Sequence, residues 1–192
     1  MENSRDIALI VMFAAISFVF NSLIGQVPSL ITGIPGIAYT FTIVYSIIQS
    51  VAYLMYGGRR WRILTQALLL SLLYFLFIPS WPLPVSLATI TNFFIVDLIF
   101  NSFHGKFKRN NKLFWWILVL QLFSWTTHSF IVLPFLSLFI PMTAVIAYFD
   151  ILIVMLPIIV IEAIAGSYIG YKIYGRVENY SITNWVEKIN YW

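Results

Sequence analysis

The sequence predicts an all-α integral membrane protein of six transmembrane helices with both termini in the cytoplasm. Three observations lead there: long apolar runs, a scarcity of charge, and basic residues confined to alternate loops. Of the 192 residues 61% are hydrophobic and only 9% charged, with a mean hydropathy of +0.91. Soluble domains carry roughly a quarter charged residues, because a globule must cover itself with polar groups. Lipid as solvent removes that requirement. No polar linker or repeat divides the chain, so a single domain is expected over 1–176, followed by a cytoplasmic tail at 177–192.

A helix needs about 20 apolar residues to cross roughly 30 Å of hydrocarbon. Runs at 7–26, 36–56, 63–79, 85–103 and 113–132 meet that need. The next apolar stretch, 133–171, is too long for one span and contains Pro134, Pro141 and Pro157. Proline removes a backbone donor and crowds the preceding turn, so the sixth span is expected at 146–173, kinked near Pro157. Residues 133–145 are then expected to form an apolar outer loop. The first span follows Arg5 and could pass for a secretory signal, but it has no small-residue cleavage site and five more spans follow. In the tail, Ile182, Trp185, Ile189 and Trp192 recur at helical spacing, as in a short helix lying on the inner membrane surface.

Basic residues test this arrangement, since Lys and Arg in short loops stay on the cytoplasmic side. All 11 fall in one set of segments. Arg5 precedes the first span. Arg59, Arg60 and Arg62 follow the second, Lys106, Lys108, Arg109 and Lys112 the fourth, and Lys172, Arg176 and Lys188 the sixth. The segments 27–35, 80–84 and 133–145 are uncharged. The net charge of +4 therefore reports orientation on an anionic inner leaflet rather than affinity for nucleic acid.

Ionisable residues within the spans are costly in lipid and mark function by default. They are Asp97, His128, Asp150 and Glu162. In span five Gln121, Trp125 and His128 lie four and three residues apart, on one helical face, with Ser124, Thr126, Thr127 and Ser129 around them. Asp150 and Tyr148 enter span six from outside, and Asn21 ends span one. Asn92, with Thr89 and Thr91, occupies the outer half of span four. Together with Trp81 in the loop that follows span three, these residues compose a candidate outward-facing pocket for a small molecule. Each also has a plainer role. The histidine can bond a neighbouring hydroxyl, the acid can face headgroups, and the aromatic residues can anchor the interface.

Asp97 precedes Asn101 and the basic loop, which favours an ion pair or a bond between helices. Glu162 shares a stripe with Gly166 and Gly170. Small residues at that spacing let helices approach closely, so this face is expected to meet another helix or a partner subunit. Ala8, Ala14 and Ala15 give span one a similar surface.

Enzyme signatures are sparse. There are no cysteines and only two histidines, and His104 and His128 lie at different depths, so a shared metal site is excluded. Metalloprotease, serine-hydrolase and nucleotide-loop motifs are missing, and no cofactor is expected. Active transport would need a partner to supply energy.

The run Arg5-Asp6-Ile7-Ala8-Leu9-Ile10-Val11-Met12-Phe13-Ala14-Ala15 resembles the opening of substrate-binding S components of energy-coupling factor (ECF) transporters. Asp97-Leu98-Ile99-Phe100 before a basic loop is similar too, as are Leu156-Pro157, Glu162-Ala163-Ile164-Ala165-Gly166 and Ile169-Gly170-Tyr171-Lys172. One departure is that Ala8 is followed by Met12 where the family has a second alanine. The resemblance implies a plasma-membrane protein that binds a vitamin or related micronutrient from outside and works with a transmembrane coupling subunit and two ATPases. It implies ligand contacts from Asn92, Trp125, His128, Tyr148 and Asp150 beneath loop 27–35, and a coupling surface on the small residues of span one. An aromatic, partly cationic ligand such as thiamin or its pyrimidine precursor would suit rings plus one acid, while a flavin or nicotinic acid would use many of the same rings. Two other readings stand beside it: a polytopic membrane enzyme acting on a lipid-borne substrate through Asp97, Asp150 or Glu162, and a small channel or scaffold.

Overall fold

The structure, a computed structural model, describes residues 4–26, 42–77 and 83–178. Every regular element among them is helical. They are α1 (Ser4–Phe20, continued by a wider π-helical stretch over Asn21–Gln26), α2 (Thr42–Tyr56), α3 (Arg62–Phe77), α4 (Leu83–Arg109), α5 (Leu113–Ser137) and α6 (Met142–Glu178). Four helical segments are long and apolar enough to cross a membrane: Asp6–Ile24, Leu83–Arg109, Leu113–Ser137 and Met142–Glu178. α2 and α3 have 15 and 16 residues, or about 22–24 Å at 1.5 Å per residue. Large apolar side chains stand on the outside, including Phe75 at 73%, Val154 at 70% and Ile161 at 65% exposure. Water penalises such a surface and hydrocarbon does not, so the long apolar helices suggest a protein embedded in a membrane.

The expected outer loop at 133–145 is not there. α5 continues to Ser137, α6 begins at Met142, and only 138–141 link them. Pro134 and Pro157 both sit inside helices. Proline's φ suits a helix, and the carbonyl it leaves without a donor can be met by neighbouring groups in a packed bundle, so proline was a poor stop signal here. The loop at 27–35 and the tail helix lie outside the described residues.

Contacts between helices set their directions. Thr42, Ser46 and Ser50 of α2 meet Glu162, Gly166 and Gly170 of α6 in the same order, so these two helices are parallel. A Cβ on Gly170 would lie 2.6 Å from the Ser50 side chain, and one on Gly166 would strike Ser46. The small-residue stripe therefore serves a seam inside the molecule. α4 and α5 are antiparallel: Trp116 donates its indole N–H to the Phe100 carbonyl at 2.9 Å, and Asn92 meets Ser124 farther along. Asn111, in the left-handed region at φ 53°, closes α4. Lys112 N–H bonds to Phe107 O at 2.8 Å and Asn111 N–H to Lys108 O at 3.1 Å, the paired bonds of a Schellman motif.

The acids inside the bundle cap helices. The first N–H groups of a helix lack internal partners and carry partial positive charge. Asp97, on α4, accepts from Trp61 N–H at 3.1 Å and Leu64 N–H at 2.9 Å, which closes the start of α3. Glu162, on α6, accepts from the Thr42 hydroxyl and from Ile43 N–H at 3.2 Å, closing the start of α2. Asn101 donates to Asp97 and to the Arg59 carbonyl. Near the start of α1, Asp6 takes Arg59 at 2.6 Å and Arg62 at 2.8 Å. Gly58, at φ +71°, presses on His104, leaving no room for a Cβ. These contacts bring the α2–α3 and α4–α5 turns, with their basic residues, to one end of the bundle.

Candidate functional site

α5 carries a run of polar side chains through an otherwise apolar bundle, with α2 on one flank and α4 on the other. Gln121 is fully buried and donates its amide to Ser50 Oγ at 3.2 Å. One turn farther along, the Trp125 ring meets Tyr45 edge-on, with centroids 5.5 Å apart. Beyond it, His128 Nε2 lies 3.2 Å from the Thr89 hydroxyl. The three residues predicted to share a face do share one.

What distinguishes this face is its unmet hydrogen-bonding capacity. Gln121 Oε1, Trp125 Nε1 and His128 Nδ1 are buried without a partner, as is Ser46 Oγ, one turn from Ser50 on α2. A buried polar atom left unpaired costs about 1–3 kcal/mol, and most such atoms in folded proteins are paired. Three such atoms lie on consecutive turns of one helix, closed off from the surface.

Asn92 belongs to an adjacent, closed network. Its amide donates to the Ser124 carbonyl at 3.1 Å and hydroxyl at 3.0 Å, and its oxygen accepts from Thr127 at 2.7 Å. These bonds clamp α4 to α5, so Asn92 shapes the wall of the site. Tyr148 packs against a small apolar cluster of Ala88, Val132, Leu136 and Val145, towards the α5–α6 link.

Other expected site residues lie elsewhere. Asp150 is exposed: the buried face of α6 runs through Val145, Leu152, Ile159 and Ala163, and helical periodicity turns residue 150 away from it. Asn21 begins the π-helical end of α1, the helix whose Phe18 packs on Tyr74 and Phe77 of α3. Trp81 lies outside the described residues. Gly166 and Gly170, read as a partner surface, are covered by α2. On α1, Ala14 is buried while Ala8 and Ala15 are exposed. Among the described residues no group of three or more His, Asp or Glu could hold a metal.

Tyr45, Ser46 and Ser50 were not anticipated. Their signal is Thr42, Ser46 and Ser50 at four-residue intervals in span two, a polar register that matches the glycine register of span six. Asp6, which holds Arg59 and Arg62, was not anticipated either. No protein-family model matches the chain, and neither a curated protein nor a solved structure does.

Proposed function

We propose that this chain is the substrate-binding subunit of an ECF-type uptake transporter, capturing a vitamin-sized molecule from outside the cell. The observation that carries the reading is the stripe of unpaired polar atoms on α5. It lies far along the helices from the basic end, and in the proposed topology that end faces the cytoplasm. The stripe then occupies the outer half of the bundle, where an incoming ligand arrives.

The arrangement of helices supports six crossings of the plasma membrane. α2 parallels α6, while α5 opposes both α2 and α4, as in a chain that reverses at each turn. Both basic turns gather at one end, as the retention of Lys and Arg on the cytoplasmic side requires. Coupling to a transmembrane partner and two ATPases follows from the resemblance, and the exposed Ala8 and Ala15 of α1 are the available small-residue surface. The membrane-enzyme reading has lost ground, because Asp97 and Glu162 already serve as helix caps and Asp150 faces outward.

Native mass spectrometry of gently purified protein tests the proposal. The expected result is one retained small molecule, absent from the Trp125→Ala/His128→Ala double variant, with ATPase subunits copurifying from the native host. Turnover of a lipid by the isolated chain would replace the transporter with the enzyme.

A further inference from the structure

Lysine and arginine gathered at one end of a bundle attract anions, and the chain leaves room for one there. A cavity of about 370 Å³ opens between the start of α1, the α2–α3 turn and the last turns of α4, within the roughly 300–1,000 Å³ of small-molecule sites. Asp6, Arg59, His104 and Lys108 line it together with Gly57 and Gly105. A Cβ at either of these glycines would meet nothing within 4 Å, so both border open space. His104 is buried, held between Gly58 and the Trp116 ring, and makes a fixed wall.

Charge decides what the cavity can hold. The Asp6 carboxylate is met twice, by Arg62 at 2.8 Å and by Arg59 at 2.6 Å. Arg59 spends only Nη1 on that carboxylate, and its side chain is 57% exposed. Lys108 is exposed and forms no ion pair among the described residues. One carboxylate against two arginines and a lysine leaves two positive charges in surplus. A guanidinium fork beside a flexible ammonium suits the oxygens of a phosphate ester, and a cation would be repelled.

Depth names the source of the phosphate. α4 has 27 residues, or about 40 Å at 1.5 Å per residue, whereas a bilayer is about 30 Å thick in its hydrocarbon and about 40–45 Å with its headgroups. The last turn of α4, with Lys108, therefore reaches headgroup level. Basic pockets between helices at that level bind anionic lipid headgroups. We infer that the cavity is a site for an anionic phospholipid of the adjoining leaflet, its phosphodiester lying between Arg59 and Lys108. This rests on the membrane embedding and orientation proposed above, which make the leaflet the inner one.

The test uses the full chain in nanodiscs of equal parts phosphatidylglycerol and phosphatidylcholine, with native mass spectrometry of the lipids that leave the disc on the protein. Phosphatidylglycerol is expected to be retained at least about fivefold over phosphatidylcholine. Lys108→Gln is expected to lower that preference by about threefold to fivefold, the share of one cation at a membrane surface. Gly105→Leu keeps every charge, favours the helix and puts a side chain where the cavity lies, and it is expected to lower the preference as far. Lys106→Gln removes a charge from the same helix outside the cavity and is expected to change it by less than about twofold. A Lys106→Gln effect equal to that of Lys108→Gln, or a Gly105→Leu protein with the parent's preference, overturns the site in favour of diffuse attraction. Displacement of the retained lipid by millimolar inorganic phosphate overturns the lipid as the source. Equal retention of the two lipids overturns the inference outright. Both faces of a nanodisc carry the same lipids, so a reversed orientation would leave the preference intact and would appear only in accessibility labelling in cells.

Discussion

Asp97 shows how a single side chain can be read twice. In a membrane span a carboxylate invites a functional reading, yet here both of its oxygens hold backbone N–H groups at the start of a neighbouring helix. Replacing it with alanine removes the cap and leaves those part-buried donors without their acceptor, which costs about 1–2 kcal/mol. Asp97→Ala is therefore expected to lower the thermal unfolding midpoint while ligand retention persists in the folded fraction. Asp97→Asn keeps one acceptor and should fall between the two. Gln121, Trp125 and His128 are expected to behave in the opposite way. Trp125→Phe keeps most of the ring area and loses the indole N–H, so its effect should appear in binding, by about 1.5 kcal/mol or roughly tenfold, with little change in stability. Equilibrium binding beside thermal unfolding separates the two classes.

At the scale of helices, the α2–α6 seam is held close by two glycines. Ser46 and Ser50 lie against Gly166 and Gly170 with no room for a methyl group, so Gly170→Val must push the helices apart. Overpacking of this kind costs about 1–3 kcal/mol or more. Because Ser50 also holds Gln121, the displacement should loosen the polar face of α5 as well. Gly170→Val is thus predicted to lower both the unfolding midpoint and ligand affinity, whereas Gly175→Ala, within α6 where an added Cβ meets nothing within 4 Å, should leave affinity unchanged and hold or slightly raise the midpoint. The α-helical class and the shared face of Gln121, Trp125 and His128 were legible in the sequence, because helical period and apolar run length are local properties. Two features were not. Pro134 looks like a breaker until a packed bundle is present to absorb it, and Asp150 looks like a site residue until the rotation of α6 is known. That rotation is set by Gly166 and Gly170 meeting α2, a contact between residues 120 positions apart that no local pattern records.

At the scale of the whole molecule, every account of direction rests on the basic end. The α2–α3 and α4–α5 turns meet there through Gly58 and His104, and through Asn101 and the Arg59 carbonyl. The chain has no cysteine, so single cysteines at Arg60 and Asn110 can be labelled without background. Both are expected to react only with a membrane-permeant reagent in intact cells, and reaction of either with an impermeant reagent would reverse the orientation. Gln121, Trp125 and His128 lie towards the opposite end, on the face of α5 between α2 and α4. The most direct test of the central claim is a high-resolution cryo-electron microscopy map of the gently purified protein. It is predicted to show continuous non-protein density within hydrogen-bonding distance of Gln121 Oε1, Trp125 Nε1 and His128 Nδ1. Isolated water peaks at those atoms, or side chains that turn to pair with one another, would contradict it.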